Sequence, residues 1–130
     1  MPVVFVKNEA GWNELTRSPA GAVYKDINKR GQKLQQLARR QVGKKTGRLA
    51  ASITSITTVD AKGVINVTGS GSKIALIHHE GAKAHIIRPK RAKMLRFVQN
   101  GRVRYANVVH HPGHRSNKYL TGNLPRVILR

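Results

Sequence analysis

The stretch GKKTGRLAASITSITTVDAKGVINVT, Gly43 to Thr68, decides the fold. The spacing of apolar residues changes within it. Upstream, Val23, Ile27, Leu34, Leu37, Ala38 and Val42 recur at the period of one helix face. Gly43 stops that pattern. Thr46 then caps one or two further turns, with Leu49 and Ile53 on one side. From Ile53 the chain becomes rich in β-branched residues: Ile53–Val59, a Lys62-Gly63 turn, then Val64–Thr68. Such side chains are stiff about χ1 and fit a pleated surface better than a helix. The reading is a long helix handing over to an antiparallel hairpin. That makes the chain α+β, with one long N-terminal helix packed on a mainly antiparallel β-sheet.

Working outward, Val3–Val6 reads as a short strand with Pro2 at its edge. Asn8 caps a short helix through Trp12 and Leu15. Ser18-Pro19 reads as the start of the long helix, over 18–43, because a hydroxyl cap followed by proline suits a first turn. Lys25, Lys29, Lys33, Arg39 and Arg40 fall off its apolar face. Gly31 falls near that face, at about 1 kcal/mol less favourable than alanine, and points to close approach by another backbone.

On the C-terminal side, Gly69–Ser72 reads as a loop. Ile74–His79 is open between strand and short helix, and Gly81 ends it. Residues 82–92 read as a loop. Asn100-Gly101 between two β-like runs, Lys93–Gln99 and Arg102–Val109, is a strong hairpin signal because both turn residues need positive φ. Pro112-Gly113 ends that hairpin, which is basic and extended. In the tail, Tyr119, Leu120, Leu124, Val127, Ile128 and Leu129 suit a last strand or docking on a neighbour. The whole is expected as one domain: N-terminal strand and short helix (1–17), long helix (18–43), β-rich core (44–81), basic loop and hairpin (82–113) and tail (114–130).

Charge is the main clue to function. The 130 residues carry 25 Lys/Arg against 5 Asp/Glu, a formal net charge of +20. Residues 1–50 hold eleven basic and three acidic groups, 51–81 two of each, and 82–130 twelve and none. Self-repulsion on this scale opposes compaction unless a partner supplies counter-charge. Nucleic acid is one such partner and an acidic protein neighbour another. Lys83, Arg88, Lys90, Arg91, Lys93, Arg96, Arg102 and Arg104 sit in one loop and one hairpin, as candidate contacts to DNA or to a partner. Phe97, Tyr105 and Tyr119 are too few for a single-strand stacking platform. With no recognition-helix or zinc-finger pattern, any binding is expected to be sequence-independent.

There is no cysteine, which excludes disulfides and thiolate metal sites. No apolar run approaches the roughly 20 residues of a membrane span. No membrane contact is expected, and the chain is expected to be soluble and made in a cytoplasm. His78-His79-Glu80 with His110, His111 and His114 invites a metal site, but carboxylate partners are scarce and the bias is to histidines packing around loops. A His111/His114 metal-dependent nuclease is weighed on the same residues. Gly69-Ser70-Gly71-Ser72-Lys73 lacks phosphate-loop spacing. No catalytic, cofactor or metal residue is assigned.

Three elements in order carry a resemblance: Thr46-Gly47-Arg48-Leu49 through Ile53, then Ile74-Ala75-Leu76-Ile77-His78-His79-Glu80-Gly81-Ala82, then Asn117-Lys118-Tyr119-Leu120. Together, after a long helix, they resemble the neck or tail-completion family of long-tailed bacteriophages. The basic insertion 84–114 is similar to the version in phages of actinobacteria. Ile74 stands where the family has an aromatic, and Ala82 where it has threonine. The resemblance covers about residues 15–124. It implies an α+β virion subunit with no enzyme activity and no cofactor, assembled in the host cytoplasm. It implies a ring, a hexamer, at the head–tail junction that helps complete and join the tail. Its partners would be head-closure and tail-terminator or tail-tube proteins, with DNA passing through and touched without sequence preference. Thr46, Gly47, Arg48, Leu49, Ile53, Glu80, Gly81, Tyr119 and Leu120 would be its fold and assembly motif. The exposed N-terminal strand and apolar tail suit intersubunit sheet augmentation. The alternative is a free, sequence-independent nucleic-acid-binding protein.

Overall fold

The computed structural model describes residues 1–128. The chain divides into two compact units, residues 1–75 with the segment from Lys118, and residues 76–117.

The first unit opens with α1 (Glu9–Arg17), capped as expected by Asn8, whose Oδ1 accepts from the Gly11 amide at 3.0 Å. Its long helix is α2 (Ala22–Gln41). The sequence put that helix's start at Ser18-Pro19, and the structure corrects it. Ser18 is the C-cap of α1, its carbonyl accepts from the Gly21 amide, and Gly21 caps α2. Proline after a helix end stops the chain as effectively as it starts one. α3 (Arg48–Ser52) follows, with Gly47 in the left-handed region as its N-cap and no side-chain cap bond. Thr46 therefore does not cap it.

Next come β1 (Ile53–Asp60) and β2 (Gly63–Ser70), antiparallel from Ile53 opposite Ser70 to Asp60 opposite Gly63. Asp60 Oδ1 accepts from the amides of Lys62 and Gly63 and closes the turn. Gly69 and Ser70, read as loop, belong to β2. α2 packs on this hairpin, so the expected α+β architecture of a long helix on an antiparallel sheet is present.

The core gathers Ala38 and Val42 of α2, Leu49 of α3, Ile53, Ala75 and Tyr119. Burying such a cluster is the main stabilising term in this unit. The helix–sheet contact beside it is polar. Asn66 Nδ2 donates to Ser55 Oγ and Thr57 Oγ1, both at 2.9 Å, and Thr68 Oγ1 donates to Asn66 Oδ1 at 2.7 Å. Thr57 Oγ1 donates to Asn28 of α2 at 3.0 Å, and Tyr24 Oη to the Thr57 carbonyl at 3.2 Å. Gln35 and Arg39 donate to the Ile53 carbonyl at 2.7–3.1 Å. A Cβ on Gly31 would lie 2.2 Å from Asn66 Nδ2. The close neighbour of Gly31 is thus a side-chain amide and not a backbone. The opposite face of the hairpin carries Ile56 and its cross-strand partner Val67, exposed at 60% and 65%.

Two further expectations are corrected here. Val3–Val6 forms no strand and is 77–93% exposed, because within the described residues no strand pairs with it. The tail forms a 3₁₀ turn (Thr121–Asn123) and α5 (Pro125–Ile128), not a strand. Its apolar residues at 120, 124, 127 and 128 recur at helical intervals. Leu129 lies outside the described residues. Arg30 of α2 donates to the Val127 and Ile128 carbonyls at 3.4 and 3.1 Å, where a cation complements the helix end.

α4 (Lys73–Glu80) resolves the ambiguity at Ile74–His79 in favour of helix and leads into the second unit. That unit holds β3 (His85–Ile87), β4 (Leu95–Gln99), β5 (Arg102–Ala106) and β6 (Val109–His111). β4 and β5 form the expected hairpin, with Asn100 at φ 52° and Gly101 at φ 74°. β3 pairs antiparallel with β6, so 82–92 is not all loop; the hairpin's second arm ends at Ala106, short of the expected Val109, which belongs to β6, and Pro112-Gly113 therefore ends β6 and not the hairpin. All three two-stranded sheets are antiparallel. No helix among the described residues is long and apolar enough to cross a membrane.

Candidate nucleic-acid or partner interface

The unit 76–117 contains nine Lys/Arg and one acid, Glu80. Glu80 Oε1 lies 2.6 Å from His79 Nδ1. All eight candidate cations are exposed, and none has an ion-pair partner among the described residues. The strand register fixes where they project. On β4–β5, Arg96 faces Tyr105, Phe97 faces Arg104, Val98 faces Val103 and Gln99 faces Arg102. Alternation puts Arg96, Val98, Val103 and Tyr105 on one face. Leu95, Phe97, Gln99, Arg102, Arg104 and Ala106 take the other.

The hairpin is therefore charged on both sides. Arg102 and Arg104 are about 7 Å apart along their strand, about twice the axial phosphate spacing of one DNA strand. Lys83 precedes β3, while Arg88, Lys90, Arg91 and Lys93 occupy the segment between β3 and β4. With no acid among the described residues paired to them, these side chains attract an external anion at a range set by salt.

The histidines fasten this unit. His85 and His111, opposite each other in β3–β6, stack with ring centroids 5.0 Å apart, and His78 and His114 stack at 6.2 Å. His114 Nε2 lies 3.0 Å from the Ile77 carbonyl, and His111 Nδ1 accepts from the Gly113 amide at 3.0 Å. Among the described residues no three His, Asp or Glu side chains converge as metal ligands. Gly81 has φ +86°, and a Cβ there would sit 2.8 Å from the Ser116 amide and 2.9 Å from the His114 carbonyl. Ala82 and His114 exchange both backbone hydrogen bonds beside it. Glycine is needed at 81 on both grounds, φ and space.

The motif residues separate by role. Leu49, Ile53 and Tyr119 meet in the core of the first unit, with Leu120 packed against it. Tyr119 Oη donates to the Ala75 carbonyl at 3.2 Å, and burial pushes its phenol pKa up. Thr46, Arg48 and Glu80 are exposed.

The sequence reading missed the Asn66 network, although Ser55, Thr57, Asn66 and Thr68 alternate along two strands and signal a polar inner face. It also missed Asn123, buried in the tail, whose Nδ2 donates to Gln41 Oε1 at 2.7 Å and to the Tyr119 carbonyl at 2.8 Å. No protein-family model, curated protein or solved structure matches the chain.

Proposed function

We propose that this chain is a non-enzymatic structural subunit of a phage neck, assembling as a ring at the head–tail junction with the genome passing through. The neck reading starts from the ordered motifs quoted above. The observation that carries it on the geometric side is the basic unit, in which eight exposed cations have no ion-pair partner among the described residues. A +20 chain gains most where a polyanion or an acidic neighbour is held against it. The test is electron microscopy of the purified protein with nucleic acid removed. Annular particles of six subunits support the reading. Globular monomers, in the presence and absence of acidic neighbouring proteins, contradict it.

The same cations favour a second reading, a free nucleic-acid-binding protein without sequence preference. It predicts a monomer or dimer whose duplex affinity falls roughly 10³- to 10⁵-fold between about 50 and 200 mM salt, as for six to ten phosphate contacts. Under either reading the loop and hairpin of residues 84–111 touch a partner or DNA. A structure of the assembled particle with that hairpin touching neither removes it from the interface.

A further inference from the structure

We infer that the groove along the free edge of β2 accepts the Val3–Val6 segment of a second copy of this chain as an added strand. The groove, of about 570 Å³, runs beside Val64–Thr68 and is walled by apolar residues of α2, the 3₁₀–α5 junction and α5. Among the described residues β2 is paired on one side only, with β1. Its other edge offers the outward N–H and C=O groups that recruit a further strand. The one charged group in the wall, Arg30, is already engaged by Asp26 at 2.8 Å and by the α5 carbonyls. Asn66 and Thr68 also line it, already bonded to their neighbours, so the groove is a mainly apolar site without an unpaired charge on a strongly cationic molecule.

The occupant is argued from the same chain. Val3, Val4, Phe5 and Val6 form a β-prone run exposed at 77–93%, outside any element, and apolar on both of the faces that an extended strand presents. The groove matches both faces, with Ile27, Leu34 and Val127 on the helix side of β2 and Ile65 and Val67 on the other. Four extended residues span about 13 Å, within the length of β2. Pro2 stands where a strand's first residue tolerates the missing N–H.

Exposure points to a second copy: Val3–Val6 stays out of its own chain's groove, 77–93% exposed. Neither Val3–Val6 nor β2 carries a charged side chain, so the two strands meet without like-charge repulsion. Donor and acceptor are different surfaces, so the contact is head-to-tail and either closes a ring or runs on as a filament. The inference deepens the ring reading and rests on it for closure, not for docking.

The chain has no cysteine, which makes cross-linking clean. Phe5→Cys protein is mixed with Ile65→Cys or Val67→Cys protein under mild oxidation, with Lys62→Cys as the control acceptor. With protein at about 10 µM, docking raises the effective thiol concentration to roughly millimolar, so the mixed disulfide forms on the order of a hundredfold faster with 65 or 67 than with 62. Equal rates overturn the inference. So does a disulfide confined to monomers of the double variant Phe5→Cys/Val67→Cys, which would place the segment in its own groove. Deleting residues 2–7, all outside the core, is expected to abolish assembly. Rings that persist after the deletion overturn the docking and leave the ring reading intact. Mixed disulfides on particles that never close support the docking and overturn the ring.

Discussion

Replacing Gly31 with alanine tests the polar helix–sheet contact at its tightest point. On helix propensity alone the substitution is favourable by about 1 kcal/mol, because Gly31 lies inside α2. The structure opposes it. The new Cβ would lie 2.2 Å from Asn66 Nδ2 and 2.4 Å from both Asn66 Cγ and Oδ1. Reaching a normal separation of roughly 3.5 Å requires the amide to retreat by about 1 Å. That breaks the bonds Asn66 makes with Ser55 and Thr57 at 2.9 Å and with Thr68 at 2.7 Å. Three such bonds are together worth about 3 kcal/mol. Gly31→Ala should therefore destabilise by about 2 kcal/mol net, read as a lower urea midpoint at unchanged slope.

The sign should reverse once Asn66 is gone. In an Asn66→Ala background the obstacle is removed, and Gly31→Ala should stabilise by about 0.5–1 kcal/mol. The coupling in the double-mutant cycle is then about 2–3 kcal/mol, as for residues in direct contact. If Gly31→Ala stabilises equally in both backgrounds, Asn66 does not pack against α2 and the reasoning is refuted.

Two further predictions concern single sites. Tyr119 is kept neutral by burial, with its pKa raised. An unfolded tyrosine ionises near pH 10, so its stabilising contribution is complete below that pH and falls as pH rises toward the folded value. The loss should reach about 1.4 kcal/mol per pH unit. Tyr119→Phe should lose about 1 kcal/mol at neutral pH and show a shallower alkaline decline. Equal alkaline slopes for the two proteins would mean that the phenol is not buried in solution. Gly81→Ala combines a positive φ with backbone contacts under 3 Å and should destabilise its unit by about 2–4 kcal/mol. Hydrogen exchange at the Ala82 and His114 amides, which bond to each other's carbonyls, should accelerate accordingly. Unchanged protection there contradicts the assigned backbone.

The elements legible in the sequence were those coded by adjacent residues. Asn100-Gly101 set a hairpin through its own φ requirements, and the spacing of Leu34, Ala38 and Val42 set the helix face. Ser18-Pro19 misled because the pair that opens one helix also closes another. β3 escaped notice because it is three residues long and its partner β6 lies more than twenty residues downstream, so neither signals the other locally. The strand expected at Val3–Val6 was read from composition, but a strand exists only with an edge to pair with. Of the candidate interface, the charge was legible. The split of Arg96 from Arg102 and Arg104 onto opposite faces follows from the register, which the two-residue Asn100-Gly101 turn sets by pairing Gln99 with Arg102.

Mass in solution separates the ring from the free nucleic-acid binder. Static light scattering on nucleic-acid-free protein, at about 50 and about 500 mM salt, separates assembly through apolar contact from association through charge. A ring gives one particle near six times the 14.4 kDa chain, about 86 kDa, at both salts. A monomer at both salts that gathers only on duplex DNA and is released by salt would contradict it, and would give the chain to the free nucleic-acid-binding reading.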